Sequence, residues 1–324
     1  MATFPLLQLP LVAMENVLWT MSPFELNEVS MASTRAKGIV KNFSRSKNKF
    51  SVEFSNQGPS LSFRGKQNRW TLRMTTNKGS AGFFQFREPD NVNLIVKHST
   101  FPMNDIKKWF DYAKEVLYCE IDKVTFDFDF SRWENIQTID WLAGQGGTLN
   151  KLEVLKNNAD SNAEVKDLLE RIHITGSLKL MGEFQRDFQM EIPGKPAFLR
   201  IQNAQFINYD QFLRLKSPVI ILWKSIITSQ EINRFLNSWM SCETHLELEK
   251  FQINVSGPDA VNEIMDLPHE RTNDPNLIHA FEGYPHSIRV VNEMFTIEKS
   301  DGKKKATVTV GQTWSGWHFN LIVH

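Results

Sequence analysis

Cys242-x-x-His245 sets a thiol and an imidazole at metal-ligand spacing, and Asp127-x-Asp129 sets two carboxylates at alternating positions of a strand-like run. A zinc site needs a second pair of ligands at comparable spacing, and none accompanies Cys242 and His245, which read as a buried thiol and a surface imidazole. Two carboxylates on one strand face can divide acid and base roles. Here Phe126, Phe128 and Phe130 alternate with Asp127 and Asp129, so the run reads as a strand with a dry aromatic face and a wet acidic one. Cys119 would need a lowered pKa and a neighbouring base to act as a nucleophile. It follows Tyr118 at the end of an amphipathic pattern, the setting of a core thiol. Gly144, Gly146 and Gly147 do not form a dinucleotide fingerprint, and the chain has no Gly-x-x-x-x-Gly-Lys phosphate loop. The reading is of a non-enzyme with no catalytic residue, no cofactor and no metal.

Binding therefore carries the function, and charge narrows the partner. The 324 residues hold 37 Lys plus Arg and 37 Asp plus Glu, so there is no global basic field for nucleic acid or an acidic membrane. Locally, Arg35, Lys37 and Lys41 run into the stretch SRSKNK at 44–49, a linker or helix tail that reads as a solvated face. No aromatic residue between Ser44 and Lys49 offers a base a stacking platform. Two cysteines are no disulfide framework and agree with a reducing compartment. Leu6 to Ala13 is too interrupted by prolines and lacks the preceding basic residues of a signal peptide, and no window reaches the roughly 20 apolar residues of a membrane helix. The expected location is intracellular, cytoplasmic or nuclear.

The elements that must position a binding surface begin at the N-terminus. Leu11, Met14, Leu18 and Met21 form a one-sided helical stripe after Leu9-Pro10. Ser22-Pro23-Phe24-Glu25 restarts the chain as a second helix, with Ser22 as cap, Pro23 at the first position and Glu25 closing a capping box. Ala36, Ile39, Val40 and Phe43 mark a third. About forty residues of short helices bury too little to stand alone. Their surplus apolar surface belongs either to a partner groove or to the rest of the chain.

In order and spacing, Leu9-Pro10, Val17-Leu18, Ser22-Pro23-x-x-Leu26, Val29-Ser30-Met31 and Ser33-x-Arg35-x-Lys37 resemble an F-box. That motif docks a substrate receptor onto the Skp adaptor of a cullin-based ubiquitin ligase. The opening PLLxLPLxA with MSPxEL after it resembles the nematode F-box proteins that carry a type-two F-box-associated domain. The resemblance implies an F-box over residues 1–45 that inserts Leu9, Pro10, Leu18, Phe24, Leu26, Val29 and Met31 into the adaptor, and a substrate-recognition body over 46–324.

Within that body, period-two alternation marks strands at Phe50–Phe54, Leu61–Phe63, Trp70–Met74, Phe84–Phe86 and Val92–Val96. A helix follows over Pro102–Tyr118, capped by Asn104 or Asp105. Beyond Val124 a strand-like run followed by a helix-like one recurs coarsely. Strands are expected at Phe198–Ile201, Val219–Trp223 and Leu246–Ile253, with helices at Tyr209–Leu215 and after the Thr228-x-x-Glu231 capping box. Their spacing is near that of leucine-rich repeats. Leu222-Trp223-x-Ser225-x-Ile227-Thr228 and Ile232-Asn233-Arg234-Phe235-Leu236-x-x-Trp239 resemble the F-box-associated domain, whose core would span about 185–255. Residues 259–285, rich in proline, read as a long loop, and Asp301-Gly302 as the turn of a C-terminal hairpin. The expected fold is α+β: a three-helix F-box, then a β/α body of irregular leucine-rich-repeat-like units, with one open sheet face for a target protein. The alternatives are an interaction scaffold outside any ligase and, from Arg35 to Lys49, a nucleic-acid-binding module.

Overall fold

The computed structural model describes residues 6–47, 50–65, 68–86, 91–157, 161–283, 288–290 and 293–324. The chain divides into two compact units, residues 1–127 and 128–324. The fold is mixed α/β, with ten α-helices among the described residues.

The first unit opens with α1 (Leu11–Thr20), α2 (Pro23–Met31) and α3 (Thr34–Lys47). Ser22 Oγ accepts from the Glu25 N–H at 3.2 Å, and Glu25 Oε2 accepts from the Ser22 N–H at 2.7 Å, so the expected capping box closes in both directions. Met14, Leu18, Phe24, Leu26, Ala36, Val40 and Phe43 are buried. Helix α3 runs on to Lys47, which makes the basic stretch a helix tail; Asn48 and Lys49 lie outside the described residues. Each alternating segment becomes a strand: β1 (Ser51–Ser55), β2 (Ser60–Arg64), β3 (Asn68–Thr75), β4 (Gly82–Phe86) and β5 (Asn91–His98). Helix α4 (Pro102–Leu117) and strand β6 (Glu120–Asp127) complete the unit, whose sheet order is β6-β1-β2-β3-β5-β4.

Helix α4 is not capped by Asn104 or Asp105, as its sequence predicts. Phe101 precedes it, Pro102 takes the first turn, and Asp105 Oδ2 accepts from Ser99 Oγ at 2.6 Å instead. The chain prefers Pro102 at the first helical position because that position's N–H has no partner to lose. The rings of Phe24 (α2), Phe63 (β2) and Trp109 (α4) meet edge to face at centroid distances of 5.5–5.9 Å. Around them Ser30 Oγ lies 3.0 Å from the Tyr112 hydroxyl, and the Glu115 carboxylate takes both Lys37 at 2.9 Å and Lys41 at 3.3 Å. The three N-terminal helices thus pack on the sheet and α4 of their own unit.

The second unit contains α5 (Arg132–Gly144), β7 (Thr148–Lys156), α6 (Asn162–Arg171), β8 (His173–Gly182), β9 (Phe198–Ile201), α7 (Tyr209–Arg214), β10 (Val219–Leu222), α8 (Ser229–Met240) and β11 (Lys250–Asn254). It ends with α9 (Ala260–Ile264), β12 (Glu270–Thr272), α10 (Pro275–Glu282), β13 (Arg289–Val290), β14 (Met294–Glu298), β15 (Lys305–Thr313) and β16 (Gly316–Val323). Strands β7 to β11 are consecutive parallel neighbours. The sheet then turns antiparallel through β16, β15 and β14 to β12. One face carries Leu178, Leu180, Leu199, Ile201, Ile220, Leu222, Phe251, Ile253, Phe319 and Leu321, all buried.

Two expectations are corrected here. Residues 259–283 are not a long loop, since they contain α9, β12 and α10, with Pro275 opening the last helix and Asp274 capping it; Tyr284 and Pro285 lie outside the described residues. The alternation after Val124 stops with β6 at Asp127, so Asp127 is buried and Phe130 is 40% exposed. Asn56 ends the strand by clamping the Asp127 backbone, accepting its N–H at 2.6 Å and donating to its carbonyl at 2.7 Å.

Gly182 closes β8 opposite Lys156, where an added Cβ would sit 2.7 Å from both the Lys156 carbonyl oxygen and its Cβ. Gly182→Ala is expected to lower stability by about 1–3 kcal/mol, read from the urea midpoint. An unchanged midpoint would contradict the β7–β8 register.

Candidate functional site

Two groups of accessible side chains stand out, one in each unit. On the N-terminal helices, Pro10 and Met31 are exposed and Leu9 and Val29 half-buried. Leu18, Phe24 and Leu26 are not available: they are 1%, 5% and 0% exposed, consumed by the core of their own unit. The seven residues expected to insert into an adaptor therefore divide into four that reach the surface and three that hold the helices in place. Val12 (72% exposed), Trp19 (47%) and Leu11 (65%), the last from the one-sided apolar stripe, are exposed as well. At the first turn of α1, Leu11 lies before the part of the stripe that Met14 and Leu18 bury.

The second surface is the sheet face opposite the apolar core of the second unit. Ladder partners there run Glu153, Lys179, Arg200, Ile221, Gln252, Asn320 and Thr309 from β7 to β15. Because side chains alternate along a strand, one register puts all of these on the face opposite the apolar one; Glu153, Lys179 and Arg200 are half-buried there, while Ile221, Gln252, Asn320 and Thr309 are buried. Gln252 and Asn320 are fully buried yet satisfied: Gln252 Nε2 donates to Asn320 Oδ1 at 2.9 Å, and Asn320 Nδ2 donates to the His318 carbonyl at 2.8 Å.

Trp223, just beyond β10, organises the rim of this face. Its Nε1 donates to Gln252 Oε1 at 3.2 Å, and the Arg200 guanidinium lies over its ring at 4.1 Å. Trp314, on the β15–β16 turn, meets the Trp223 ring edge-on at 5.7 Å and is 85% exposed. Beside them Glu183 takes Asn203 Nδ2 at 2.6 Å and Lys224 at 3.2 Å. The arrangement is a polar floor with a cation–aromatic stack and one exposed indole.

Residues 187–253 match the family model described as F-box associated. The matched stretch contains β9, α7, β10, α8 and all but the last residue of β11, and so supplies Arg200, Trp223 and the buried Gln252 beneath them. No curated protein and no solved structure matches the chain. The expected F-box-associated core at about 185–255 agrees with the match.

The residues first considered for chemistry sit elsewhere. Cys119 is buried, and burial pushes its thiol up to about 12. His245 is not the surface imidazole its sequence position implies: it stacks on Phe212 at 5.1 Å and meets Phe235 edge-on at 5.2 Å. Cys242, in the left-handed region at φ 60°, instead lies 3.7 Å from the Ser300 hydroxyl. Among the described residues no group of three or more His, Cys, Asp or Glu is placed to hold a metal, and no helix is long and apolar enough to cross a membrane.

Burial lowers the His245 pKa from 6.5 to about 4. Between those values the unfolded chain binds a proton that the folded chain does not, so stability falls as pH drops through that window. His318, lowered for the same reason, acts in the same direction. His245→Phe, which keeps an aromatic ring against Phe212, is expected to flatten the dependence of the urea midpoint on pH between 4 and 6.5. An unchanged slope would contradict the buried, neutral imidazole.

Proposed function

We propose that the protein is the substrate-recognition subunit of an Skp–cullin–F-box ubiquitin ligase. The N-terminal helices engage the Skp adaptor through Leu9, Pro10, Val29 and Met31, and through the adaptor a cullin. The body holds a target protein on the open face around Arg200, Trp223 and Trp314. The observation that carries this reading is the F-box-associated match over residues 187–253, whose strands build that face, in a chain that opens with F-box-like helices. Catalysis in such an assembly is by proximity: the receptor supplies effective concentration and orientation, while bond-making belongs to other subunits. Lys37 and Lys41 are paired to Glu115, which weighs against a nucleic-acid contact built on that basic run. The short parallel strands β9, β10 and β11, with α7 and α8 between them, support describing this part of the body as leucine-rich-repeat-like.

The test is capture of the full chain by a purified Skp adaptor. Wild type is expected to bind, and the Leu9→Ala/Pro10→Ala double variant to lose binding at least tenfold while keeping its urea midpoint, because neither side chain is fully buried. Full binding by the double variant would sink the proposed adaptor face. Adaptor binding without a co-purifying cullin would favour a scaffold outside the ligase.

A further inference from the structure

Strand β4 is the last strand of the first unit's sheet, hydrogen-bonded to β5 on one side. All five of its residues, Gly-Phe-Phe-Gln-Phe, are exposed, with Phe83, Phe84 and Phe86 at 59%, 42% and 52%. Alternation sends Phe83 to one face of the sheet and Phe84 and Phe86 to the other. Across the ladder Phe83 meets Ile95, Phe84 meets Leu94, and Phe86 meets Val92, all three only half-buried. The edge thus offers unpaired backbone groups flanked by apolar side chains on both faces. Natural edge strands are guarded by charge, proline or a bulge, and β4 contains no charged residue and no proline and pairs with β5 in unbroken register. What fits is another extended strand, apolar on both faces.

We propose that this strand is β4 of a second copy of the chain, paired antiparallel about Phe84. In that register Phe84 faces its own counterpart, Phe83 faces Gln85, and Gly82 faces Phe86, so the segment is complementary to itself. Phe84 and Phe86 of both copies then form one continuous stripe, and Phe83 packs over the partner's Gln85 position. The two-fold closes the assembly, because each copy's free edge is used once. Formal net charge is +0, so two copies approach without net repulsion. The exposed parts of the three rings amount to roughly 300 Å² per copy on the usual area of such side chains. That is below the size of a standard stable interface, about 800 Å² per partner, so the dimer is a weak, reversible one. This assignment is independent of the ligase reading.

Sedimentation equilibrium of the full chain, from low micromolar to several hundred micromolar, tests it. Wild type is expected to pass from monomer to dimer and stop there. Phe84→Lys and Phe83→Lys, which charge opposite faces of the same edge, are each expected to weaken the dimer at least tenfold with unchanged urea midpoints. Trp133→Lys, at an exposed aromatic in the second unit, is expected to leave it intact. A wild-type monomer throughout, growth beyond two copies, or dimerisation by either β4 variant as tight as wild type would overturn the proposal.

Discussion

Strands of four and five residues cannot hold an extended conformation alone, and the second unit is built from such strands at Phe198–Ile201, Val219–Leu222 and Lys250–Asn254. Each is fixed by parallel hydrogen bonding to the next in a register that leaves no choice of face: slipping by one residue would turn Leu199, Ile220 and Phe251 out of the core. The open face is the other half of the same constraint. Once the apolar residues are turned inward, Arg200, Gln252 and Asn320 must face the other way. Trp223, at the end of β10, is then left where Arg200 can lie over its ring. The polar face thus follows from the core pattern.

In the first unit the deciding contact is the aromatic meeting of Phe24, Phe63 and Trp109. It links a helix of the N-terminal module to a strand and a helix more than thirty residues away, so this module does not depend on an external partner for its core. Phe24 and Leu26 look like insertion residues by sequence order, but Phe24 makes this internal contact and Leu26 is fully buried. Of the proposed adaptor residues, Leu9, Pro10, Val29 and Met31 remain accessible, with Leu11, Val12 and Trp19 as exposed neighbours in sequence.

What was legible in the sequence is what local chemistry decides. The capping boxes at Ser22 and Thr228 close as their spacing requires, because each joins residues three apart. The alternating segments of β1 to β5 and the stripe of α4 were equally plain. Asn208 and Gln211 form a third capping box that the same rule would have found. The stretch 259–285 was misread because α9 has only five residues, too few to show a helical period, and because prolines there open a helix as well as break one. The pairing of Trp223 with Arg200 and Trp314 was not legible, since it depends on the register of β9 and β10 and on where the β15–β16 turn falls. His245 was placed on the surface for the same reason: nothing local to it announces Phe212.

The central claim is a division of labour, with the adaptor held by the N-terminal helices and the open sheet face left free for a target. Hydrogen–deuterium exchange of the full chain with and without purified Skp adaptor tests it most directly. The account predicts slowed exchange confined to residues 9–31, with the peptides covering β8 to β11 exchanging as in the free chain. Protection across β8 to β11, or none over 9–31, would contradict it.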